Sequence, residues 1–281
     1  MIEISHLREV SVKELFDTFN LSFSDYLVPL SLTYEQFQRK LDSENVNLDY
    51  SVGAFESGRL VGFVLHFYHE ANGRKILYNG ATGVIPAHRG QSLTSKMYQY
   101  MLLLLRKQGV SSIQLEVLAH NYPAIHIYEK IGFGIARQLK CYRGESMIEN
   151  THVPYIHIEP LSGFVWDIWA RFWDFEPTWQ NSNQVIERLS SSIKAFGAHH
   201  GSTMVGYIIY NTQANRIHQL AVDPVYRRMR IGEMLVQHVV QMYGANLSVI
   251  NVDAGSVSTM HFLTRLGLEN FIDQIDMRMR L

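Results

Sequence analysis

The sequence predicts a mixed α/β protein built from two repeated modules, and three observations support this fold class. A short motif and the helix that follows it recur once, 138 positions further along the chain. Apolar strand patterns separated by Ser57-Gly58 and Asn72-Gly73 predict antiparallel hairpins ahead of the motif. In each half, a helix, strand, helix, strand pattern follows the motif and predicts a βαβ arrangement.

Length, charge and cysteine content limit the function classes. A chain of 281 residues suggests one large domain or two of about 150 residues. The net charge of −1 gives no support for a nucleic-acid partner or an anionic membrane surface. A single cysteine, Cys141, excludes an intrachain disulfide and suits a reducing compartment. With neither a signal-peptide pattern nor an apolar run near the ~20 residues of a membrane span, we expect a cytoplasmic protein.

The repeat is clearest around two short stretches. Val84-Ile85-Pro86 recurs as Val222-Asp223-Pro224, and Arg89 matches Arg227 at the same offset of 138. The following helices match as well, because their i, i+4 apolar stripes coincide. The aligned pairs are Leu93 with Ile231, Met97 with Leu235, Met101 with Val239, and Leu105 with Tyr243.

A change of register supports duplication over chance. The first helix is predicted to end before Gly109 and the second before Gly244, about one turn earlier relative to the repeat. The offset should then fall by about three residues, or one turn. It does fall, because Ile131-Gly132-Phe133 matches Leu266-Gly267-Leu268 at an offset of 135.

The repeat divides the chain into residues 1–145 and 155–281, joined by a polar segment that ends in proline. Apolar spacing at i, i+4 predicts helices, and alternation or short apolar runs predict strands. In the first module we expect helices at 14–23 and 33–41, strands at 51–55, 60–68 and 75–84, the repeated helix, a strand at 113–118, a helix at 123–130 and a strand at 135–142. In the second we expect helices at 164–175 and 184–191, strands at 194–199, 204–210 and 217–222, and the same helix, strand, helix, strand ending.

The stretch Arg89-Gly90-Gln91-Ser92-Leu93-Thr94 lies between a strand end and the repeated helix. The first turn of a helix has unpaired backbone N–H groups and the positive end of the dipole, which together attract anions. Arg89 adds a guanidinium suited to phosphate. An ordinary turn that caps a helix is the alternative interpretation of this loop and of its repeat.

Two motifs together give a family resemblance. The pattern V-x-P-x-x-R-G-Q-x-L-T follows a strand, and N-x-x-A-x-x-x-Y-E-K-x-G-F comes one βα unit later. This combination resembles the GNAT (GCN5-related) N-acetyltransferases. The resemblance covers nearly the whole chain as two tandem GNAT-like modules. It implies that each module is a mostly antiparallel mixed sheet flanked by helices.

The resemblance implies acetyl-CoA as the cofactor and assigns residues to it. The strand end would receive the thioester, the loop would bind the pyrophosphate through backbone amides, and Asn121 would contact the cofactor arm. The implied cofactor-binding residues are Gly83, Val84, Ile85, Arg89, Gly90, Gln91, Ser92, Leu93, Thr94 and Asn121.

Both loops depart from the family pattern R/Q-x-x-G-x-G/A. The first has Ser92 and Thr94 at the glycine positions, and the second has Arg230 at the first of them, followed by Gly232. Backbone N–H donors are retained, and what glycine adds is close approach and freedom at positive φ. The effect of Arg230 on a pyrophosphate has two interpretations. Its long side chain either crowds the pyrophosphate or adds positive charge beside it.

The resemblance also implies direct attack of an amine on the thioester, with Tyr128 as general acid. A tyrosine that only packs on the sheet is the alternative. Glu116 is a candidate general base, and an ordinary solvated strand residue is the alternative there. Asp25 and Tyr26 lie where the family builds the acceptor wall, so they are candidate substrate-binding residues.

The second module lacks these groups. At the offset of 135 it has Ser256 in place of Asn121 and Leu263 in place of Tyr128, and leucine cannot donate a proton. We therefore expect a catalytic N-terminal module and a degenerate C-terminal one. The histidines show no ligand spacing with supporting Cys, Asp or Glu, so no metal site is expected.

The resemblance thus implies an acetyl-CoA-dependent N-acetyltransferase that acts on a small-molecule amine or an exposed amino group. A non-catalytic acyl-CoA-binding or regulatory tandem protein is the alternative, motivated by the altered loops. The expected partner is a small-molecule or peptide amine, with no nucleic acid and no membrane. A monomer and a homodimer are equally compatible with the sequence.

Overall fold

The computed structural model describes residues 1–26, 30–71, 73–148, 150–189 and 192–281. The chain forms two compact units. The first contains Met1–Ala136 together with Ile275–Leu281, and the second contains Arg137–Gln274. Within the described residues, no helix is both long enough and apolar enough to cross a membrane.

The first unit begins with a strand and two helices, followed by a hairpin-rich sheet and a βαβ back. Its elements are β1 (Ile2–His6), α1 (Val12–Ser22), α2 (Tyr34–Ser43), β2 (Val52–Glu56), β3 (Arg59–Ala71), β4 (Arg74–Val84), α3 (Leu93–Lys107), β5 (Val110–Leu118) and α4 (Tyr122–Ile131). The chain passes into the second unit within β6 (Gly134–Glu145).

The second unit repeats this order with shorter leading helices. Its elements are β7 (Ile156–Pro160), α5 (Trp166–Trp169), α6 (Asn183–Arg188), β8 (Ile193–His200), β9 (Thr203–Asn211), β10 (Arg216–Val222), α7 (Ile231–Tyr243), β11 (Asn246–Asp253) and α8 (Val257–Arg265). The chain returns to the first unit within β12 (Glu269–Arg280).

Each unit has one mixed sheet, and the two sheets have the same strand order. In the first, β1, β2, β3 and β4 pair antiparallel and β5 pairs parallel to β4. In the second, β7 to β10 pair antiparallel and β11 pairs parallel to β10. The predicted fold class, a mostly antiparallel mixed sheet with flanking helices in two copies, is confirmed.

The sixth strand of each sheet comes from a distant part of the chain. In the first unit it is the end of β12, where the Leu281 N–H donates to the Ser111 carbonyl of β5 at 3.0 Å. In the second it is β6, which pairs antiparallel with β11. The compact units therefore exchange the strands that end the two predicted modules. The boundaries 1–145 and 155–281 stay a prediction for the duplicated stretches of sequence.

The core of each unit lies between its sheet and its repeated helix. In α3 the predicted i, i+4 stripe is buried, and it packs on strand residues such as Leu77 and Ile113. In α7 the equivalent stripe is buried except for Tyr243, which is partly buried at the helix end. The buried positions are Leu93, Met97, Met101 and Leu105 in α3, and Ile231, Leu235 and Val239 in α7.

The first strand of each sheet was not among the predicted elements. Both β1 and β7 have five residues and begin with an Ile-x-Ile pattern, in Ile2-Glu3-Ile4 and Ile156-His157-Ile158. Each pairs with only one neighbour, at the edge of its sheet. So short an alternation carries little periodic signal, and pairing with β2 or β8 is what makes these residues strands.

The predicted helix at 164–175 is shorter than expected. Only α5 and one 3₁₀ turn, Ala170–Phe172, are helical, and Trp173 is extended. The Trp173 indole N–H donates to the Tyr207 hydroxyl at 2.6 Å, so tertiary contacts take precedence over helix continuation. Two other expectations extend beyond the described residues, at Asn72 of the predicted hairpin turn and at Ser191, the end of the second predicted helix.

The exchanged strand gives a test of the fold. Met277 lies in β12 with no exposed surface, within the core cluster of the first unit. We expect Met277→Ala to lower the free energy of unfolding by about 2–5 kcal/mol, because it removes buried methylenes and leaves a cavity. Urea unfolding would measure this. Met242→Ala, at a half-exposed position of α7, should change stability by less than about 0.5 kcal/mol, and equal effects would contradict the packing of β12.

Candidate active site

The two parallel strands of the first unit separate near their carboxyl ends. The ladder between β4 and β5 runs from Lys75 opposite Val110 to Tyr78 opposite Gln114, and beyond it β4 stays paired with β3 but no longer with β5. A bulge at Gly80 lies immediately after this point. A Cβ on Gly80 would lie 2.1 Å from Phe67 Cε2, so only glycine fits the bulge. Beside the last residues of β4 the two strands no longer pair with each other, and we call the space between them the opening.

One backbone N–H of the predicted thioester site points toward this opening. Ile85 N–H donates to Val61 O at 3.0 Å, so residue 85 is committed to β3. Backbone groups of successive strand residues point to opposite sides, and Val84 therefore faces the opening. Its carbonyl accepts from Arg89 Nε at 3.2 Å, which agrees with that direction. Gly83 is required because a Cβ there would lie 2.7 Å from Phe63 Cζ and 2.8 Å from Ser22 Cβ.

The loop before α3 has two left-handed residues separated by one position. Gly90 has φ 76° and Ser92 has φ 57°, and Ser92 is the N-cap of α3 without a side-chain capping bond. Alternation of left-handed and other conformations turns successive N–H groups toward one side and forms an anion-binding concavity. The N–H groups of the predicted residues Gln91, Leu93 and Thr94 belong to this loop and the first helical turn.

The second module has the same loop conformation with different side chains. Arg228 has φ 67° and Arg230 has φ 62°, at the offset of 138 from Gly90 and Ser92. Left-handed residues other than glycine are uncommon and cost free energy. Since both modules retain them without glycine at the N-cap, the fold dictates this conformation and Ser92 adopts it.

Arg89 ties the loop to the end of α1. Its guanidinium donates to both Asp25 carboxylate oxygens at 2.7 Å and to the Ser22 carbonyl at 2.9 Å, in addition to the Val84 carbonyl. The hydrogen bonds from Arg89 hold the pKa of Asp25 below its usual value. The predicted phosphate ligand and the predicted substrate residue are therefore partners of each other.

The same tie is present in the second module. Arg227 donates to the Val222 carbonyl at 3.1 Å, the Asp174 carboxylate at 2.8 Å and the Phe172 carbonyl at 2.9 Å. Two independent copies of one arrangement indicate a structural role for the arginine. The loop is held at a fixed distance from the preceding helix by this side chain.

Tyr128 lies against the end of β4, in a cluster of polar and aromatic side chains. Burial raises the pKa of its phenol, and hydrogen bonding with Thr82 and Asn79 lowers it in part. Asn79 Nδ2 also donates to Thr82 Oγ1 at 2.8 Å and to the Tyr98 hydroxyl at 2.7 Å. The Tyr128 ring packs edge-on against Tyr98 and Phe133, at centroid distances of 6.2 and 5.6 Å. Its hydroxyl is thus held in a defined position.

Two more predicted residues adjoin Tyr128. Asn121 caps α4 by accepting from the Ala124 N–H at 3.3 Å, and its Nδ2 donates to the Tyr26 hydroxyl at 3.4 Å. Tyr26 is near enough to contribute to raising the pKa of Tyr128. The fold therefore gathers Tyr26, Asn121 and Tyr128 from three distant parts of the sequence, while the segment 27–29 lies outside the described residues.

Glu116 is half-buried on β5, on the side opposite the core residues Ile113, Leu115 and Val117. Its carboxylate accepts a short hydrogen bond from the Tyr78 hydroxyl. Burial, followed by the Glu116 charge, raises the pKa of Tyr78 well above its usual value. Glu116 is thus a bound carboxylate within the sheet, and its role as a base stays a prediction.

Sequence reasoning did not single out Tyr78, Asn79, Thr82 or His66. The available signal was a set of polar side chains within predicted buried strands. Strand periodicity predicts which face a side chain occupies, but it does not predict its hydrogen-bond partners. His66 is fully buried, and its Nδ1 donates to the Tyr50 carbonyl at 2.7 Å. Burial lowers the pKa of His66 to about 4, so the imidazole is neutral at neutral pH.

The first turn of α7 carries its own carboxylate. Glu233 is buried in that turn and accepts from Arg230 Nε at 2.7 Å and from the Arg265 guanidinium. Arg230 also donates to the Thr151 hydroxyl at 3.0 Å. Leu263 is buried at the position that corresponds to Tyr128. The first turn of α7 therefore contains an ion-pair network between Arg230, Glu233 and Arg265.

Comparison with known proteins agrees with this geometry. The family model described as the acetyltransferase (GNAT) family matches residues 12–133 and 159–268. The chain belongs to the GNAT family. Both matched segments include the strand, loop and helix described above, so the duplication is of one GNAT domain.

Two curated relatives match part of this GNAT protein. Streptothricin acetyltransferase from Streptomyces lavendulae is 34% identical over 83 residues, which cover 30% of this chain and 42% of the relative. N-alpha-acetyltransferase 30 from Schizosaccharomyces pombe is 27% identical over 96 residues, which cover 34% of this chain and 63% of the relative. The chain thus spans less than two thirds of the length of either relative.

Solved structures share the tandem GNAT fold over the full length. A tandem GNAT protein from the clavulanic acid biosynthesis pathway aligns with a TM-score of 0.73 and 12% identity, covering 100% of this chain and 98% of that one. A GCN5-related N-acetyltransferase from Sphaerobacter thermophilus aligns with a TM-score of 0.72 and 14% identity, covering 99% and 95%. At such identities the likeness concerns the fold alone.

The buried histidine gives a pH-dependent prediction. Since the pKa of His66 is about 4 in the folded protein and about 6.5 unfolded, the unfolded state takes up the proton first as pH falls. The contribution of the neutral His66 to the free energy of unfolding is complete above about pH 6.5, and it is lost as the pH falls toward 4. Between about pH 7 and 5.5 the loss from His66 should be about 1 kcal/mol.

Urea unfolding of wild type and His66→Asn at both pH values measures this loss. Asparagine keeps a donor near Nδ1 but does not titrate. His218, whose pKa burial lowers to about 3, contributes equally to both proteins and cancels in the difference. An identical pH dependence in wild type and variant would contradict the assignment of a neutral, buried His66.

Proposed function

We propose that this protein is an acetyl-CoA-dependent N-acetyltransferase, acting on a small-molecule amine or an exposed amino group, with its active site in the first unit. The observation that carries the proposal is a convergence at one place. The loop with its left-handed residues follows β4 directly, the Tyr128 hydroxyl bonds Thr82 and Asn79 of β4, and β4 no longer pairs with β5 beyond Tyr78.

The loop fits a diphosphate group. Its positive-φ residues, Gly90 and Ser92, turn backbone N–H groups toward the helix end, where the dipole also favours an anion. A Cβ on Gly90 would meet nothing within 4 Å, so the approach to the loop is open. Gln91, Ser92, Leu93 and Thr94 would bind through their backbone, with Arg89 holding the loop in place. Asn121 would contact the cofactor arm.

Acetyl-CoA, when bound, would supply the acetyl group as a thioester with a thiolate as leaving group. The Val84 N–H would stabilise the negative charge that develops on the carbonyl oxygen. Tyr128 would protonate the departing sulfur, because burial raises the pKa of its phenol and so keeps the proton available for a thiolate held in contact with it. Glu116 would accept a proton from the amine.

We assign catalysis to the first module and a supporting role to the second. Leu263 has no proton to donate where the first module has Tyr128. Glu233 and Arg230 in the second loop bind each other, whereas the first loop has the small Ser95 and Ser92 at these positions. An amine substrate agrees with the names of the acetyltransferase relatives. The net charge of −1 gives no support for a nucleic-acid partner. The single cysteine favours a cytoplasmic location.

Tyr128→Phe separates binding from chemistry. We expect it to retain the rise in melting temperature with acetyl-CoA and to lower kcat by about 10²- to 10⁴-fold, because only the acidic proton is lost. A thiol-release assay across a panel of amines measures kcat. Tyr122→Phe, the same change at an exposed position of α4, is the matched control and should leave kcat unchanged.

Other outcomes of that experiment identify other functions. A kcat of Tyr128→Phe equal to that of wild type would show that Tyr128 is not the general acid. Binding of acetyl-CoA without turnover of any amine in wild type would indicate the non-catalytic acyl-CoA-binding alternative. The absence of any thermal shift with acetyl-CoA would contradict both.

Ser95→Glu tests the loop. Ser95 is exposed in the first turn of α3 and corresponds to Glu233 at the offset of 138. The added carboxylate should weaken acetyl-CoA binding at least about tenfold, because a like charge close to the pyrophosphate costs more than about 1.4 kcal/mol. Calorimetric titration measures the Kd.

Gln99→Glu is the control for Ser95→Glu, since it adds the same charge one turn further along an exposed face of α3. It should change the Kd by less than about threefold at physiological ionic strength. Equal Kd values for Ser95→Glu and wild type would show that the cofactor does not lie on this helix end.

A further inference from the structure

The edge of the sheet in the second unit brings three potential metal ligands together. His157 on β7 lies directly opposite His199 on β8 in the antiparallel register. Glu159, two residues after His157, projects from the same face of β7. The two imidazole rings stack at a centroid distance of 5.5 Å. One ligand atom from each of the three side chains lies within 4.8 Å of the others.

The separations are close to those of a bound metal ion. With zinc–ligand distances of about 2.0–2.2 Å, two ligands of a tetrahedral site are about 3.4 Å apart. His199 Nε2 lies 3.3 Å from Glu159 Oε1, and His157 Nε2 lies 4.0 Å from Glu159 Oε2. Small rotations of the exposed His157 and Glu159 side chains would therefore complete the geometry.

The Nε2 atom of His199 is the strongest single indication. It is buried and has no hydrogen-bond partner within the described part of the chain, although a carboxylate oxygen lies nearby. A buried nitrogen without a partner is unfavourable, and a cation held between it and the carboxylate would satisfy both. The absence of a side chain at Gly197 leaves space for His199 Nε2, because a Cβ at position 197 would lie 2.8 Å from that nitrogen.

The repeat provides an internal comparison. In the first unit, β1 and β2 pair with the same register, and Glu3 lies opposite Phe55 where His157 lies opposite His199. Ser5 takes the place of Glu159. The fold therefore does not require these ligands, since the equivalent positions of the first unit lack both histidines.

We propose that His157, Glu159 and His199 bind one divalent transition-metal ion, with Zn²⁺ the best match and water completing the coordination. Two imidazoles and one carboxylate suit Zn²⁺, whereas Mg²⁺ and Ca²⁺ prefer oxygen ligands alone. The ion would link β7 to β8 across the edge of the sheet. Edge strands expose unpaired backbone groups, and a cross-strand metal would stabilise the pairing there.

The test uses the full chain after removal of metal with a chelator, and titration with ZnCl₂ in a calorimeter. We expect one high-affinity Zn²⁺ per chain. His157→Ala and Glu159→Gln should each weaken binding by about tenfold or more, because each removes one of three ligands. Both side chains are about half exposed, with relative areas of 55% and 52%, so the fold should tolerate these changes.

His261→Ala, an exposed histidine of α8, is the matched control and should leave the Zn²⁺ affinity unchanged. Electron paramagnetic resonance with Cu²⁺ in place of Zn²⁺ gives a second readout, in which nitrogen couplings from two imidazoles should fall to one in His157→Ala. Absence of Zn²⁺ binding in wild type, or equal affinity in His157→Ala, would overturn the proposal. Neither result depends on acetyltransferase activity.

Discussion

The separation of β4 from β5 is the constraint on which the candidate site depends. The pairing of β4 with β5 ends at Tyr78 and Gln114, before β4 itself ends. The backbone groups of Val84 therefore lie on the side of β4 that faces away from β3 and toward the opening. Gly80 permits the bulge and Gly83 permits the close approach of α1. The loop follows β4 directly, Arg89 binds the Val84 carbonyl, and Tyr128 bonds Thr82 and Asn79 of the same strand.

The duplication separates what the fold requires from what the proposed chemistry requires. Both modules keep the left-handed loop and the arginine that binds a preceding acid and carbonyl, so these features belong to the scaffold. The modules differ at Tyr128 and Leu263, and at Ser95 and Glu233. The first module therefore has a proton donor where the second has an aliphatic side chain, and the two helix ends carry different side chains.

The last strand of each unit comes from a distant part of the sequence. The core of the first unit includes Met277 and Met279 from the end of the chain, and β6 completes the sheet of the second unit. Such pairings join residues far apart in sequence. The chain loses conformational entropy when these distant segments come together, and the pairing and burial in the completed sheets offset that loss. Neither predicted module contains all of its own sheet.

The sequence alone determined the fold class, the duplication and most helices and strands, because apolar periodicity and a repeated motif report local structure directly. It also located Asn121 and Tyr128, since both lie within one family motif. The tertiary structure decided which partners these residues have. The pairing of Arg89 with Asp25, and the polar cluster of Asn79 and Thr82 beneath Tyr128, depend on chain segments brought together only on folding.

The edge strands and the histidine cluster show the same division. β7 has a weak periodic signal and forms by pairing with β8. His157 and His199 are 42 positions apart, and nothing in their spacing indicates a site (199 − 157 = 42). Local periodicity determines which face of a strand a side chain occupies, whereas strand register determines which side chain lies opposite it. Register is a property of the folded sheet, and for that reason only the tertiary structure could bring these two histidines together.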